Sequence, residues 1–168
     1  MKYKTELKYK GESLWPYYFL IDEEVTKALS SEDHKRIVCK INNLETINCA
    51  LMPLGRGSYL MVNQEVRKKL SLEPGSEVVL EMERDTSKYG MPMPESLQVM
   101  LDQDEIGSKY FHQLTPGKQR SLIHLVAKVK SLDKQINKSL AILEHLKDVN
   151  GNLDYKLLNI KIKEHNNL

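Results

Sequence analysis

Lys130, Lys134 and Lys138 recur every fourth residue, a spacing that puts them on one face of a helix, with Lys118, Arg120 and Lys128 close by in sequence. Such a row offers positive charge to a small anion, an acidic protein or a nucleic-acid backbone, and equally fits a solvated helix face, because like charges at this spacing cost only about 0.2–0.5 kcal/mol per pair. A second basic group, Arg56 with Arg67, Lys68 and Lys69, lies near loops further upstream. The five histidines, His34, His112, His124, His145 and His165, contain no pair at the four-residue spacing of a helical zinc site. Asp22, Glu23 and Glu24 read as the acidic start of a helical turn, where the helix dipole favours them. Leu54-Gly55-Arg56-Gly57-Ser58 has two glycines but neither a P-loop lysine nor dinucleotide spacing, and reads as a sharp loop between strands. Cys39 and Cys49 sit in apolar, strand-like runs and read as buried, reduced thiols. No nucleophile–base arrangement can be proposed from spacing. The expectation is a binding protein rather than an enzyme, with Arg56, Arg67, Lys130, Lys134 and Lys138 as candidate binding residues and no metal or cofactor.

The whole chain of 168 residues carries a net charge of only +2. Its distribution is uneven: residues 1–90 hold 14 Lys/Arg and 14 Asp/Glu, whereas residues 109–147 hold eight Lys/Arg against Asp133 and Glu144 alone. Any electrostatic partner is therefore expected at the C-terminal helices. No apolar run approaches the ~18 residues of a membrane span and the N-terminus has no signal-peptide core, so the reading is a cytoplasmic protein with no membrane partner.

The elements that would position these groups fall into two texts. YFLIDEEVTKALSSEDHKRIVCKIN (18–42) and YLMVNQEVRKKLSLEPGSEVVLEME (59–83) align without a gap at an offset of 41, with eight identities in 25 pairs. Each reads as an apolar strand, a helical turn with Val and Leu four apart, and an alternating strand. Pro74-Gly75 marks a turn in the second copy, and YKTELKYK near the N-terminus alternates like another strand. Two copies are too few for a solenoid and point to one closed unit with internal twofold symmetry.

After residue 88 the text becomes helical. Pro94 opens a helix at its first position, DEIGSKYFHQL continues as a second, and Thr115-Pro116 reads as an N-cap followed by proline at N1. Leu122, Val126, Val129, Ile136, Leu140 and Leu143 make a helical stripe interrupted near Ser131, either one bent helix or two. Asn150-Gly151 stops it. Residues 151–168 form a tail or a short terminal strand through Leu158, Ile160 and Ile162. The expected division is a β-barrel over 1–88, helices over 89–150 and a terminal segment.

The string VNQEVRKKLSLEPGSEVVLEMERD resembles the swapped-hairpin half-barrel of AbrB and MazE-type regulators, in which two chains each give one half. Here one chain holds both halves, so the resemblance implies a pseudo-twofold double-split β-barrel, an α+β fold once the helices are included. PMPESL, the Phe111 to Pro116 step and the helix after it resemble the C-terminal segment of the YdeI/OmpD-associated family, also labelled bacteriocin-protection proteins. That likeness covers residues 3–148 and implies a link to tolerance of antimicrobial peptides or envelope stress. The AbrB likeness implies instead nucleic-acid contact through barrel arginines such as Arg56 and Arg67. The family's usual AK-x-x-E-T-R signature is incomplete: Ala127-Lys128 is followed by neither its threonine nor its arginine.

Overall fold

The computed structural model describes residues 1–12 and 16–167, in two units, Met1–Gly90 and Met91–Leu168. The fold is α+β: an antiparallel sheet with two short helices, and a helical C-terminal region.

The first unit contains β1 (Lys2–Tyr9), β2 (Tyr17–Ile21), α1 (Glu23–Leu29), β3 (Arg36–Ile41), β4 (Glu45–Ala50), β5 (Met52–Leu54), β6 (Gly57–Met61), α2 (Gln64–Lys69) and β7 (Glu77–Arg84). The strand order is β4-β3-β7-β1-β2-β6-β5, all antiparallel. The two end strands, β4 and β5, are consecutive in the chain and separated only by Leu51, so the sheet curls until its ends meet in one bent strand. β1 bends similarly, pairing β7 through Lys2–Glu6 and β2 through Leu7–Tyr9. Leu7 and Leu51, each 1% exposed, stand at the two bends.

Period-two alternation explains the core. In β3, Ile37, Cys39 and Ile41 turn inward, and in β7 Val78, Leu80 and Met82 do the same. They join Phe19, Ile21, Leu60 and Val62 in one cluster. Each helical turn closes it with a valine, Val25 or Val66, and each begins with a side-chain cap: Asp22 accepts from Val25 N–H and Asn63 from Val66 N–H. The strand, helical turn and strand expected in both copies of the repeat are thus observed at 17–41 and 57–84. The Pro74-Gly75 turn also forms: Gly75 has φ +87 and Ser76 N–H donates to Glu73 O. Gly57 is required for a different reason, since a Cβ there would lie 2.4 Å from the carbonyl oxygen of Ile21.

The second unit is made of α3 (Glu95–Gln103), α4 (Glu105–Gln113), α5 (Pro116–Ala127), α6 (Leu132–Asp148) and α7 (Tyr155–Asn166). α6 is the hub that the other four touch. Thr115 caps α5 with Pro116 at its start, and the interrupted stripe resolves into two helices with Ser131 as the N-cap of the second. Pro94 is the N-cap of α3 rather than its first residue. The restart at Ser131 resets the helical phase. Leu122, Val126 and Leu143 of the stripe are buried, but Val129, Ile136 and Leu140 are half-buried, and Ser139, Ile142, Leu143 and Leu146 form the inner face of α6.

Where alternation pointed to a terminal strand or tail, the chain forms α7. Asp154 accepts hydrogen bonds from Lys156 and Leu157 N–H, and Leu158 and Ile162, four apart, are buried while Ile160 is 54% exposed. Three apolar residues at alternate positions also satisfy a helical spacing at their first and third members, and the cap decides between them. Among the described residues no helix is long and apolar enough to cross a membrane.

Candidate functional site

The candidate cations divide between the units. Arg56 is exposed in the turn between β5 and β6. Arg67, on α2, is built into the fold: its guanidinium lies 4.4 Å from the Tyr17 ring centroid and donates to Leu72 O (3.2 Å) and to Glu73 Oε1 (3.1 Å). Its side chain is only 14% exposed.

The lysine row does not form as spacing implied. Lys130 lies in the connector before α6, so it shares no helix face with Lys134 and Lys138. Lys138 turns back to donate to Leu125 O in the last turn of α5 (3.1 Å), where the helix C-terminus favours a cation. Burial lowers its proton affinity, and the charges of Lys128 and Lys134 lower it further. The cluster that exists is therefore Lys128, Lys134 and Lys138 at the corner between α5 and α6. None of the three forms an ion pair among the described residues.

The ionisable groups with displaced proton affinities hold structure together. Burial works to raise the Asp85 carboxyl, but hydrogen bonds from Ser87 and Asn48, with the nearby charge of Arg36, hold it below the usual range. Asp104 is similarly opposed by burial and held low by Lys147 and the Gly107 N–H that it caps. Burial pushes the Cys39 thiol up to about 12 and raises Cys49 as well, so both are protonated at neutral pH. His145 is 1% exposed, and its Nε2 accepts from Asp154 N–H (3.2 Å), which requires the neutral ring. Among the described residues no group of three or more His, Cys, Asp or Glu is placed to hold a metal ion.

One cavity escaped the sequence reading. It occupies about 270 Å³ where β4 and β6 part, lined by Arg36, Ile47, Asn48, Cys49, Ala50, Met52, Met61, Asn63 and Val66. The Asn63 side-chain oxygen is used by the α2 cap and Asn48 donates to Asp85 Oδ2. What remains is an apolar, sulfur-rich wall with amides and one guanidinium at its rim. A visible signal was present: between Glu45 and Arg56 the sequence carries no charge at all. Without the bend at Leu51, that run reads only as core.

Comparison with curated proteins finds no match to the chain. Over residues 3–82 the chain is similar to the family model described as Domain of unknown function (DUF1905), a span that reaches from β1 into β7 and contains both bends of the curled sheet.

Proposed function

We propose that this chain is a non-enzymatic binding protein of YdeI/OmpD-associated type, whose first unit is a single-chain, pseudo-twofold relative of the AbrB-like double-split barrel. The strand registers support the symmetry. Exchanging every residue with its counterpart 41 positions away turns the pair Tyr18↔Met61 into Tyr59↔Leu20, which is also a pair, and leaves Phe19↔Leu60 unchanged. The β3–β7 ladder behaves likewise, with Cys39↔Met82 becoming Leu80↔Ile41 and Lys40↔Glu81 unchanged. The relation extends to the bent strands at an offset of 44: Leu7 N–H donates to Ser76 O and Leu51 N–H to Lys35 O, both at 2.9 Å. An isologous pairing of this kind is what two identical halves meeting about a twofold axis produce.

The observation that carries the functional reading is the commitment of the ionisable groups. Asp85, Asp104, Asp154 and His145 serve caps and buried hydrogen bonds, and the two thiols are protonated. A general base or nucleophile needs its lone pair turned toward a substrate. A partner-binding role asks nothing of these groups. The reading is tested by challenging a deletion strain with cationic antimicrobial peptides: restored tolerance with the intact gene and with an Asp104→Asn, His145→Gln variant supports binding without catalysis, and no change in tolerance on deletion refutes the family role.

A nucleic-acid reading is favoured by one observation: among the described residues Lys128 and Lys134, beside Lys138, form no ion pair. Two phosphate contacts would give a log–log salt slope of about −1.8 on duplex DNA, falling to near zero in a Lys128→Glu, Lys134→Glu variant. Binding that keeps its slope in the variant would move the contact to Arg56 and the barrel.

A further inference from the structure

The two bent strands leave two splits in the barrel, and they differ. Along β1 the odd residues bond β7, as Met1 and Leu7 show through Met82 and Ser76, so the peptide groups of Lys2, Lys4 and Glu6 face the first split. That split is bridged: Thr5 Oγ1 donates to Leu20 O (3.2 Å), and burial, then the charge of Asp22, raises the proton affinity of the Tyr3 phenol. Its edge also carries three charged side chains, the usual protection of a free strand edge. Along β4 the same alternation, fixed by the bond from Leu51 N–H to Lys35 O, turns the peptide groups of Thr46, Asn48 and Ala50 toward the second split. Here the counterparts of Thr5 and Tyr3 are Cys49 and Ile47. The thiol of Cys49 points to Ile37 O (4.0 Å) instead of crossing the gap, and no charged residue guards the edge between Glu45 and Arg56.

We propose that the split between β4 and β6 binds an extended peptide, which adds as a strand to the free edge of β4 and buries one bulky apolar side chain in the cavity beside it. This rests on the binding-protein reading above and names its ligand class. Three features select the occupant. The cavity of about 270 Å³ lies below the roughly 300–1,000 Å³ of small-molecule and cofactor sites and suits a single large side chain. Its wall of Ile47, Cys49, Met52, Met61 and Val66 is apolar, and unbranched methionines adapt to different shapes. The outward peptide groups of Thr46, Asn48 and Ala50 supply main-chain hydrogen bonds, so edge and pocket together reproduce strand addition with a side-chain pocket for specificity. Arg36 lines the split opposite Ala50 but is already engaged, donating to Gly90 O (2.8 Å) and standing by Asp85, so the pocket selects by apolar shape rather than by charge. Strand addition alternates inward and outward side chains, so the preferred text is one bulky apolar residue flanked by residues that face away from the pocket.

The test uses the full chain, with a phage-displayed library of random nonapeptides as the probe. Enriched peptides are synthesised and their binding followed by fluorescence anisotropy and by hydrogen exchange. Expected are peptides sharing one Phe, Leu or Met, slowed exchange at Thr46, Asn48 and Ala50, and a Kd at least tenfold weaker in Ala50→Trp, which fills the split. Asn48→Pro, which removes an outward donor, should act alike, and Lys4→Pro in the other split should not. Thermal melting establishes that each variant is folded. If Asn48→Pro fails to fold, Ala50→Trp decides. Peptides that protect residues outside β4, or whose affinity survives Ala50→Trp, overturn the site while leaving the binding-protein reading standing. Failure to enrich any peptide over the Ala50→Trp protein also overturns it, with the DNA salt titration and peptide-tolerance assay then judging the broader reading independently.

Discussion

Leu7 and Leu51 offer a quantitative test of the twofold barrel. Each is 1% exposed, each stands where a bent strand changes partners, and each donates its N–H across the bend at 2.9 Å. Truncation to alanine removes a fully buried side chain and leaves a cavity, at a cost of about 3–5 kcal/mol. Against a typical domain stability of about 5–15 kcal/mol, either change removes much of the margin. With a urea slope of about 1 kcal/mol/M for a small unit, each midpoint should fall by about 3–5 M with the slope unchanged. The assay is hydrogen exchange of the full chain at increasing urea, read by mass spectrometry on fragments from Met1–Gly90, so the helical unit does not mask the transition. Equivalent positions should respond within about 1 kcal/mol of each other. A loss under about 1 kcal/mol at Leu51 alongside a full loss at Leu7 would refute the equivalence of the two bends.

Gly57→Ala should destabilise the first unit by about 1–3 kcal/mol, because its Cβ meets the Ile21 backbone oxygen and no side chain can yield; a melting temperature unchanged within 1 °C would contradict that contact. Arg67→Ala should cost about 1–3 kcal/mol through loss of the Tyr17 ring contact and two hydrogen bonds, and should leave any DNA affinity intact; lowered affinity in a variant of normal stability would return Arg67 to the binding residues. For His145, burial holds the folded ring's proton affinity below its ordinary value, so the unfolded chain takes the proton first. The stability it contributes is complete above about pH 6.5 and is lost as pH falls through that value toward the lower folded one. Asp154 and Asp148 oppose the shift and Lys161 adds to it. Exchange in fragments of Met91–Leu168 should accelerate between pH 6.5 and 5 after correction for intrinsic rates, and less so in His145→Gln; equal slopes in both would remove His145 as the cause.

Local chemistry was legible in the sequence wherever one residue or one short period decides the outcome. The acidic start of a helical turn at Asp22, the N-cap at Thr115, the Pro74-Gly75 turn, the inward alternation of Ile37, Cys39 and Ile41, and the strand, helical turn and strand at 18–42 and 59–83 all follow from neighbours within a few positions. Spacing misled where an element boundary intervened. Lys130 fell outside the helix that holds Lys134 and Lys138, and Leu158 to Ile162 satisfied two periods until the Asp154 cap chose one.

Partners in space were decided only by the tertiary structure. The likeness of 18–42 to 59–83 is visible in sequence because those strands share apolar types, but β1 and the β4–β5 strand share few residue types beyond Leu7 and Leu51, and the change of partner at each leucine lies in backbone register. Arg67 reads as a surface cation until Tyr17 and Leu72 arrive from distant positions to hold it. The split behind Cys49, Met52 and Met61 exists because one strand serves two neighbours and cannot fill the space where they part. A one-dimensional pattern records which side chains prefer burial; where a bent strand leaves a gap depends on the pairing of residues far apart in the chain.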